Sequence, residues 1–446
     1  LKLNAQKIRY HRSFLKTSQR SYRKAALGRN KMPKPLEGIK VLDFSIAVAA
    51  PLGGAMLADM GAEVIKIERI QGEAQRHGLP AGMDEAREPE EGKVIPDKGS
   101  WIALNRGKKN IAVDIRDQRG KEIVLKLAKG TDVLIESFRP GVMDRLGLGY
   151  EIVSGSNPGV IYCSFSGYGD TGPMTHRAGG DMWSQAMSGM ISVMGYPGGP
   201  PQMANFGPVD HAGGMLTAYG VMTALFVRER TGRGQRITLN NLNAAMYLQF
   251  VQFGTYLIDG VMPYKGGRST FGMAPPFGPY RAKDGDVLTI FGGGPLWPKF
   301  CGLMGLEHLA HDPRFESDEN RTRHQEEVDR LLDEAFSRKT RGEWQKIFKK
   351  AKMRCDPCLT YEEICAHPQV AENEILYATD HPLRGKIRML DVPVKLSETP
   401  GRPQGPSPLL GEHSEMILLE LGYTPKEITE LEQGGVVKTC PPISGC

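Results

Sequence analysis

The chain reads as an α/β protein: a large domain on an open, mostly parallel, Rossmann-like sheet, a smaller α+β domain, and a final segment that returns to the large domain. Three observations predict this. A strand, a helix and a second strand follow one another within about thirty residues of Ile39, the mark of a parallel crossover unit. The pattern then recurs as far as Phe165. Finally, the character of the chain changes near Met262 and changes back near Met389. At 446 residues the chain exceeds a single typical core, so two domains are expected.

The elements follow in order. Ile39–Phe44 has buried-strand character, Ala49–Ala62 suits a helix, and Glu63–Glu68 alternates like a second strand. Ile111–Ile115, Val133–Ile135 and Val160–Phe165 continue the strands, with a helix over Gly120–Ala128. Gly and Pro thicken between Gly167 and Pro208, as in loops that form a site. Gly213–Arg228 predicts a buried helix ended by Thr231-Gly-Arg-Gly234. Turns near Gly266-Gly267, a strand at Val287–Ile290 and polar helix near Arg321 to Arg341 mark the small domain, and Pro400–Pro408 a linker before a terminal helix. The expected division is a basic leader over 1–34 outside the fold, the large domain over 35–232, the small domain over 255–350, and the returning part over 370–432.

Composition narrows the classes. With 40% hydrophobic and 24% charged residues, wholesale disorder, collagen and a disulfide-framed miniprotein are excluded. The most apolar stretch, Val41–Met60, is broken by Asp43, Pro51 and Asp59, so no membrane span is expected. The net charge of +6 comes from residues 1–34, which hold eleven Lys or Arg and no acid; the body is mildly acidic, which argues against nucleic acid as a partner. The leader reads as a basic arm, an organelle presequence or, the favoured reading, sequence upstream of a start at Met32. Seven scattered cysteines fit reduced thiols and a cytoplasmic setting, and Cys355-Asp-Pro-Cys358 lacks the second ligand pair a zinc site needs.

Familiar motifs are absent. There is no phosphate-binding G-x-x-x-x-G-K-[ST], no G-x-G-x-x-G after the first strand, no G-x-S-x-G and no H-E-x-x-H. What the loops offer is carboxylates among small residues: Asp181 in Ala178-Gly-Gly-Asp-Met, and Asp210 in Gly207-Pro-Val-Asp-His-Ala-Gly-Gly. Such carboxylates can be approached closely by a substrate and by backbone N–H donors. Their plain reading is as helix N-caps, Asp210 for the helix that follows it.

Eight blocks in register carry a resemblance. Pro35-Leu-Glu-Gly-Ile-Lys-Val-Leu-Asp-Phe, Gly61-Ala-Glu-Val-Ile-Lys-Ile-Glu-Arg69, Asn105-Arg-Gly-Lys-Lys-Asn-Ile-Ala-Val-Asp114 and Glu136-Ser-Phe-Arg-Pro-Gly-Val-Met-Asp-Arg145 open the series. Ser166-Gly-Tyr-Gly-Asp-Thr-Gly-Pro173, Gly180-Asp-Met-Trp, Thr231-Gly-Arg-Gly-Gln235 and Leu410-Gly-Glu-His413 complete it. Together they resemble the family III coenzyme A transferases of the formyl-CoA/carnitine type. The resemblance implies a nucleophilic Asp at position 210, which lies 21 residues before Thr231 and four before Gly214. It implies a supporting role for Asp181, and a CoA path lined by Ala49, Val113, Ser137, Phe138 and Arg139, with Arg69 and Arg145 on the phosphates. Arg177 takes the place of a family Lys that is Ala178 here.

On that resemblance the expected reaction moves CoA from an acyl-CoA, succinyl-CoA being a reasonable donor, to a small carboxylic acid through aspartyl anhydride and aspartyl-CoA thioester. CoA esters are substrates, no tightly bound cofactor is expected, and the family's interlocked dimer is expected as a homodimer or with a related chain. Val48, where formyl-type members carry Gln, points to a more apolar acid. Gly266–Gly272 and Gly292–Gly294 are the candidates for a loop over the nucleophile, each equally readable as a plain turn. Two rivals remain open. An α-methylacyl-CoA racemase would need a His where Gly180 stands, and a CoA-ester-binding subunit would complete a partner's site.

Overall fold

The computed structural model describes residues 33–78, 97–269, 272–290 and 294–440. They form two compact units. The larger holds the described residues of Leu1–Ser184, Gly207–Ala245 and His367–Cys446, the second those of Gln185–Phe206 and Met246–Ala366. Residues 185–206, inside the range 35–232, thus belong to the second unit.

The larger unit is built on six parallel strands: β1 (Lys40–Asp43), β2 (Glu63–Glu68), β3 (Lys109–Val113), β4 (Val133–Glu136), β5 (Ile161–Ser166) and β6 (Gln235–Asn240). A short strand, Val437–Lys438, runs antiparallel beside β3. Across the sheet the order is Val437–Lys438, β3, β2, β1, β4, β5, β6. The mostly parallel α/β sheet expected from the sequence is present. Strand order reverses direction between β1 and β4, where Asp43 pairs with Lys66 on one side and Ile135 on the other. In open α/β sheets such a switch point opens a crevice at the carboxyl ends of the strands.

Both faces are covered, which is why the strands read as nearly continuous apolar runs. One face packs Leu42, Ile65, Ile67, Leu134 and Tyr162 against Ile123, Val124, Val153, Ile417 and Leu418 of flanking helices. The other packs Val41, Val133, Ile135 and Ile161 against helices Ala49–Asp59 and Pro208–Thr231. The latter helix is longer than the predicted Gly213–Arg228. It is also not buried all round, because Met215, Tyr219, Met222 and Phe226 form an exposed apolar stripe on it.

These two helices meet almost backbone to backbone. A Cβ on Gly214 would lie 2.8 Å from the Ala49 carbonyl oxygen and 2.8 Å from the Leu52 side chain; one on Gly53 would lie 2.6 Å from Thr217 Cγ2. Positions 210, 214, 217 and 221 share one face at helical spacing, so the stripe that touches Ala49–Asp59 carries Asp210 at its N-terminal end.

Beneath the loop after β1 lies a buried charge cluster. Asp43 accepts from Lys108 Nζ at 2.7 Å and from the Ser45 amide at 2.9 Å. Lys108 also donates to the Pro51 carbonyl, and Lys66 Nζ donates to the Ser45 carbonyl and pairs with Glu73 at 2.6 Å. Burial opposes the charge on Asp43, but Lys108 and Lys66 outweigh it and hold the carboxyl below its ordinary pKa. Burial brings Lys108 down to about 8, against the pull of Asp43.

The second unit has its own core. Strands Gly278–Ala282, Gly285–Ile290 and Arg354–Pro357 form an antiparallel sheet. Helices Trp297–Met304, Gln325–Phe336 and Arg341–Lys350 pack an aromatic cluster of Tyr280, Trp297, Phe300, Phe336, Trp344 and Phe348.

Two stability outcomes are expected in chemical denaturation. Gly214→Ala forces the helices apart and destabilises by about 1–3 kcal/mol, whereas Gly220→Ala on the same helix, whose nearest contact is 3.4 Å from Ile237, is neutral or stabilising. Asp43→Asn leaves buried Lys66 and Lys108 with one anion fewer and destabilises by about 3–5 kcal/mol.

Candidate active site

The crevice at the switch point begins with the loop 44–48. The Ile46 amide donates to Ser137 Oγ at 2.8 Å, and Ser137 Oγ donates back to the Ile46 carbonyl at 3.3 Å, so the loops after β1 and β4 are tied together. Ala47 sits at φ 68°, a left-handed conformation that costs a non-glycine residue about 1 kcal/mol or more. The charge cluster below holds the loop in that shape through Ser45 and Pro51. The next residues, Val48 and Ala49, start the helix that meets Gly214.

Asp210 stands in the first turn of its helix, half-buried. The expectation that it is the N-cap is corrected by the structure. Gly207 is the cap, at φ 68°, and Pro208, which has no N–H to satisfy, is the first helical residue. The capping oxygen comes from elsewhere: Asp181 Oδ2 accepts the amides of Val209 at 2.7 Å and Asp210 at 3.1 Å. The following amide, of His211, bonds the Gly207 carbonyl. Asp181 therefore satisfies two of the orphaned N–H groups of the helix that bears Asp210.

Asp181 reaches this place because two loops pass without side chains between them. A Cβ on Gly179 would lie 2.3 Å from the Gly167 Cα, just beyond β5, and the Gly167 carbonyl accepts the Leu242 amide just beyond β6. That contact draws residues 179–181 to the carboxyl ends of β5 and β6.

Asn241, directly after β6, is a residue that the sequence reading missed. Its Nδ2 donates to Asp210 Oδ1 at 3.2 Å. Burial and the nearby Asp181 raise the Asp210 pKa to about 6, while Asn241 and His211 pull it down. Desolvation and a like charge thus win over the groups that favour the ionised form, even at a helix N-terminus. A half-buried carboxyl that titrates near neutrality is the kind of group reactive sites use.

The other predicted residues fall into two groups. Ala49 is buried at the helix contact, and Ser137 and Phe138 follow β4, where the Phe138 amide donates to Glu136 Oε2 at 2.9 Å. Arg139, also after β4, and Arg69, after β2, are exposed at the carboxyl edge, the latter donating to the Gly72 carbonyl; Arg145 ends the short helix Val142–Arg145 and is exposed, as is Arg177. Val113, at the end of β3, is 1% exposed and belongs to the core with Ile111 and Ile123, so only its backbone faces the edge. Gly180, next to Asp181, provides no side chain for acid–base work.

Of the glycine runs, Thr270, Phe271, Gly292 and Gly293 lie outside the described residues. Gly266 and Gly267 form a turn in the second unit, with the Gly267 amide on the Gly195 carbonyl. Among the described residues no His, Cys, Asp and Glu group is arranged to hold a metal ion, and no helix is long and apolar enough to cross a membrane.

Comparison with known proteins shows the family. Residues 36–414 match the family described as CoA-transferase family III. The chain is 33% identical over 406 residues to an acyl-CoA transferase of Fusarium pseudograminearum, covering 90% of this chain and 88% of that protein. It is 32% identical over 405 residues to succinyl-CoA:glutarate CoA-transferase of Homo sapiens, covering 91% and 90%. The crystal structure of a CAIB/BAIF family protein from Brucella suis superposes with a TM-score of 0.77 at 30% identity, over 87% of this chain and all of that one. The chain belongs to CoA-transferase family III and is an enzyme that transfers coenzyme A between carboxylic acids.

Proposed function

We propose that Asp210 is the nucleophile of this transfer and that the reaction runs through covalent aspartyl intermediates. The observation that carries the reading is a half-buried carboxylate at the carboxyl edge of a doubly wound sheet, oriented by one amide and raised in pKa by burial and Asp181. Asp210 attacks the thioester carbonyl, and CoA departs as thiolate, leaving a mixed anhydride. The thiolate returns to the aspartyl carbon and releases the donor acid. The acceptor carboxylate displaces CoA, which then attacks the new anhydride and restores Asp210. Each step exchanges one activated acyl bond for another, so no nucleotide and no tightly bound cofactor is required. Holding CoA and both acids in place can lower the barrier by about 7–11 kcal/mol.

In this reading Arg69 and Arg145 meet the phosphates of CoA, Ala49, Ser137, Phe138, Arg139 and the Val113 backbone line its path, and Arg177 binds CoA in place of the family Lys. Asp181 supports the nucleophile through its helix end. Succinyl-CoA is the proposed donor, in keeping with the human relative's name. The proposed assembly is the interlocked dimer, homomeric or with a related chain. The exposed Met215, Tyr219, Met222 and Phe226 stripe supports an assembled state, since contiguous apolar surface of this kind usually marks an interface.

Asp210→Asn should lower exchange between acyl-CoA and acid by roughly 10³-fold or more. Hydroxylamine trapping should modify the Asp210 peptide in the native enzyme only, as read by mass spectrometry. Because activity needs the carboxylate, kcat/KM should fall on acidification through about 6. The stability effect has the opposite sign. A folded-state pKa above the ordinary value favours folding at low pH, and that contribution is lost as the pH rises through about 6. Asp210→Asn should therefore be more stable than the native enzyme near pH ~8, by on the order of 1–2 kcal/mol, with the gain shrinking toward pH ~4 in denaturation curves.

A further inference from the structure

Asn241 is only 4% exposed, and while its Nδ2 donates to Asp210, its Oδ1 is buried with no hydrogen-bond partner. A buried amide with one half unsatisfied is costly, and a Leu would fill similar volume without that penalty. The donor half is what the position supplies. A carboxylate can only accept, so the amide nitrogen is the atom that faces Asp210.

We infer that Asn241 is a catalytic hydrogen-bond donor to Oδ1 of Asp210, leaving Oδ2 to attack and stabilising the charge that collects on Oδ1 in the middle steps of the transfer. The inference rests on the reading of Asp210 as the nucleophile. In the first step a lone pair of Oδ2 forms a bond to the thioester carbon, and the C–S bond breaks with its electron pair leaving on CoA sulfur. Asn241 acts next. When thiolate adds to Cγ, the Cγ–Oδ1 π pair moves onto Oδ1, against the Asn241 N–H. Collapse restores the carbonyl and expels the donor acid as carboxylate with the bridging oxygen. The acceptor carboxylate then adds to Cγ, again placing the charge on Oδ1, and expels CoA thiolate. In the last step thiolate adds to the acceptor's carbonyl carbon, and Asp210 leaves as a carboxylate. No proton is moved in any of these steps, so a fixed neutral donor suits the site better than an acid or base.

Asn241 comes from the end of β6, whereas the charged groups acting on Asp210 among the described residues are Asp181, from the helix Asp181–Met187, and His211, from its own helix. Asn241 favours the ionised form of Asp210 against burial and Asp181, so its loss has a signature that packing alone does not produce.

The test compares Asn241→Leu and the near-isosteric Asn241→Asp with the native enzyme, alongside Asp210→Asn. Asn241→Leu should lower kcat by on the order of 10–100-fold, change the KM for acyl-CoA less than about threefold, and move the acid limb of kcat/KM to higher pH. Asn241→Asp, which replaces the donor by a like charge, should lose more and move the limb further while keeping its shape and folding. Native kcat with an unmoved acid limb in Asn241→Leu overturns the inference, as does a kcat loss in both variants with the limb unmoved. An active Asp210→Asn would sink the covalent reading and this inference with it. An inactive Asp210→Asn beside a native-like Asn241→Leu would sink this inference alone.

Discussion

The site depends on two helices being allowed to touch without side chains between them. Gly53 and Gly214 let Ala49–Asp59 and Pro208–Thr231 approach until a Cβ at either contact would overlap its neighbour. The approach ties the start of one helix to the start of the other. It therefore sets the distance between the loop after β1, which lies at the switch point, and the carboxylate of Asp210. Sheet topology supplies the crevice, and this contact fixes the helix that carries Asp210 beside it.

Two buried carboxylates near that crevice are treated in opposite ways. Desolvation opposes charge on both. Around Asp43 two lysines outweigh it, and the ionised group becomes a fixed anchor for the loop that carries Ala47. Around Asp210 the pull of Asn241 and His211 does not offset burial, and Asp181 adds a like charge, so the carboxyl is left poised. The same residue type is an ionised strut in one setting and a carboxyl poised near neutrality in the other, and the difference lies in its neighbours.

Much of the scaffold was legible because its strands read either as short apolar runs, as in Val133–Ile135, or as alternation, as in Glu63–Glu68. Glu63–Glu68 was found with its predicted bounds, and Val160–Phe165 within one residue. What could not be read depended on distant partners. The alternation in β2 reads Lys66 as a solvated position, yet it is fully buried, because its partner Glu73 and the carbonyl of Ser45 become visible only when the chain is folded. Asn241 gave no signal, since an Asn after a strand looks like a turn residue and its contact is 31 positions away. Asp210 was singled out through resemblance, whereas its local sequence favoured the cap reading. The cap residue is Gly207 and the capping oxygen comes from Asp181, in a different helix, and no local rule anticipates such an arrangement.

The way Asp181 is engaged bears on the products. One of its oxygens is committed to two backbone amides, and the adjoining Gly180 has nothing to offer a C–H bond. On the covalent route only carboxyl carbons and their oxygens change partners. An acid with a stereocentre beside its carboxyl group then leaves this enzyme with the handedness it brought.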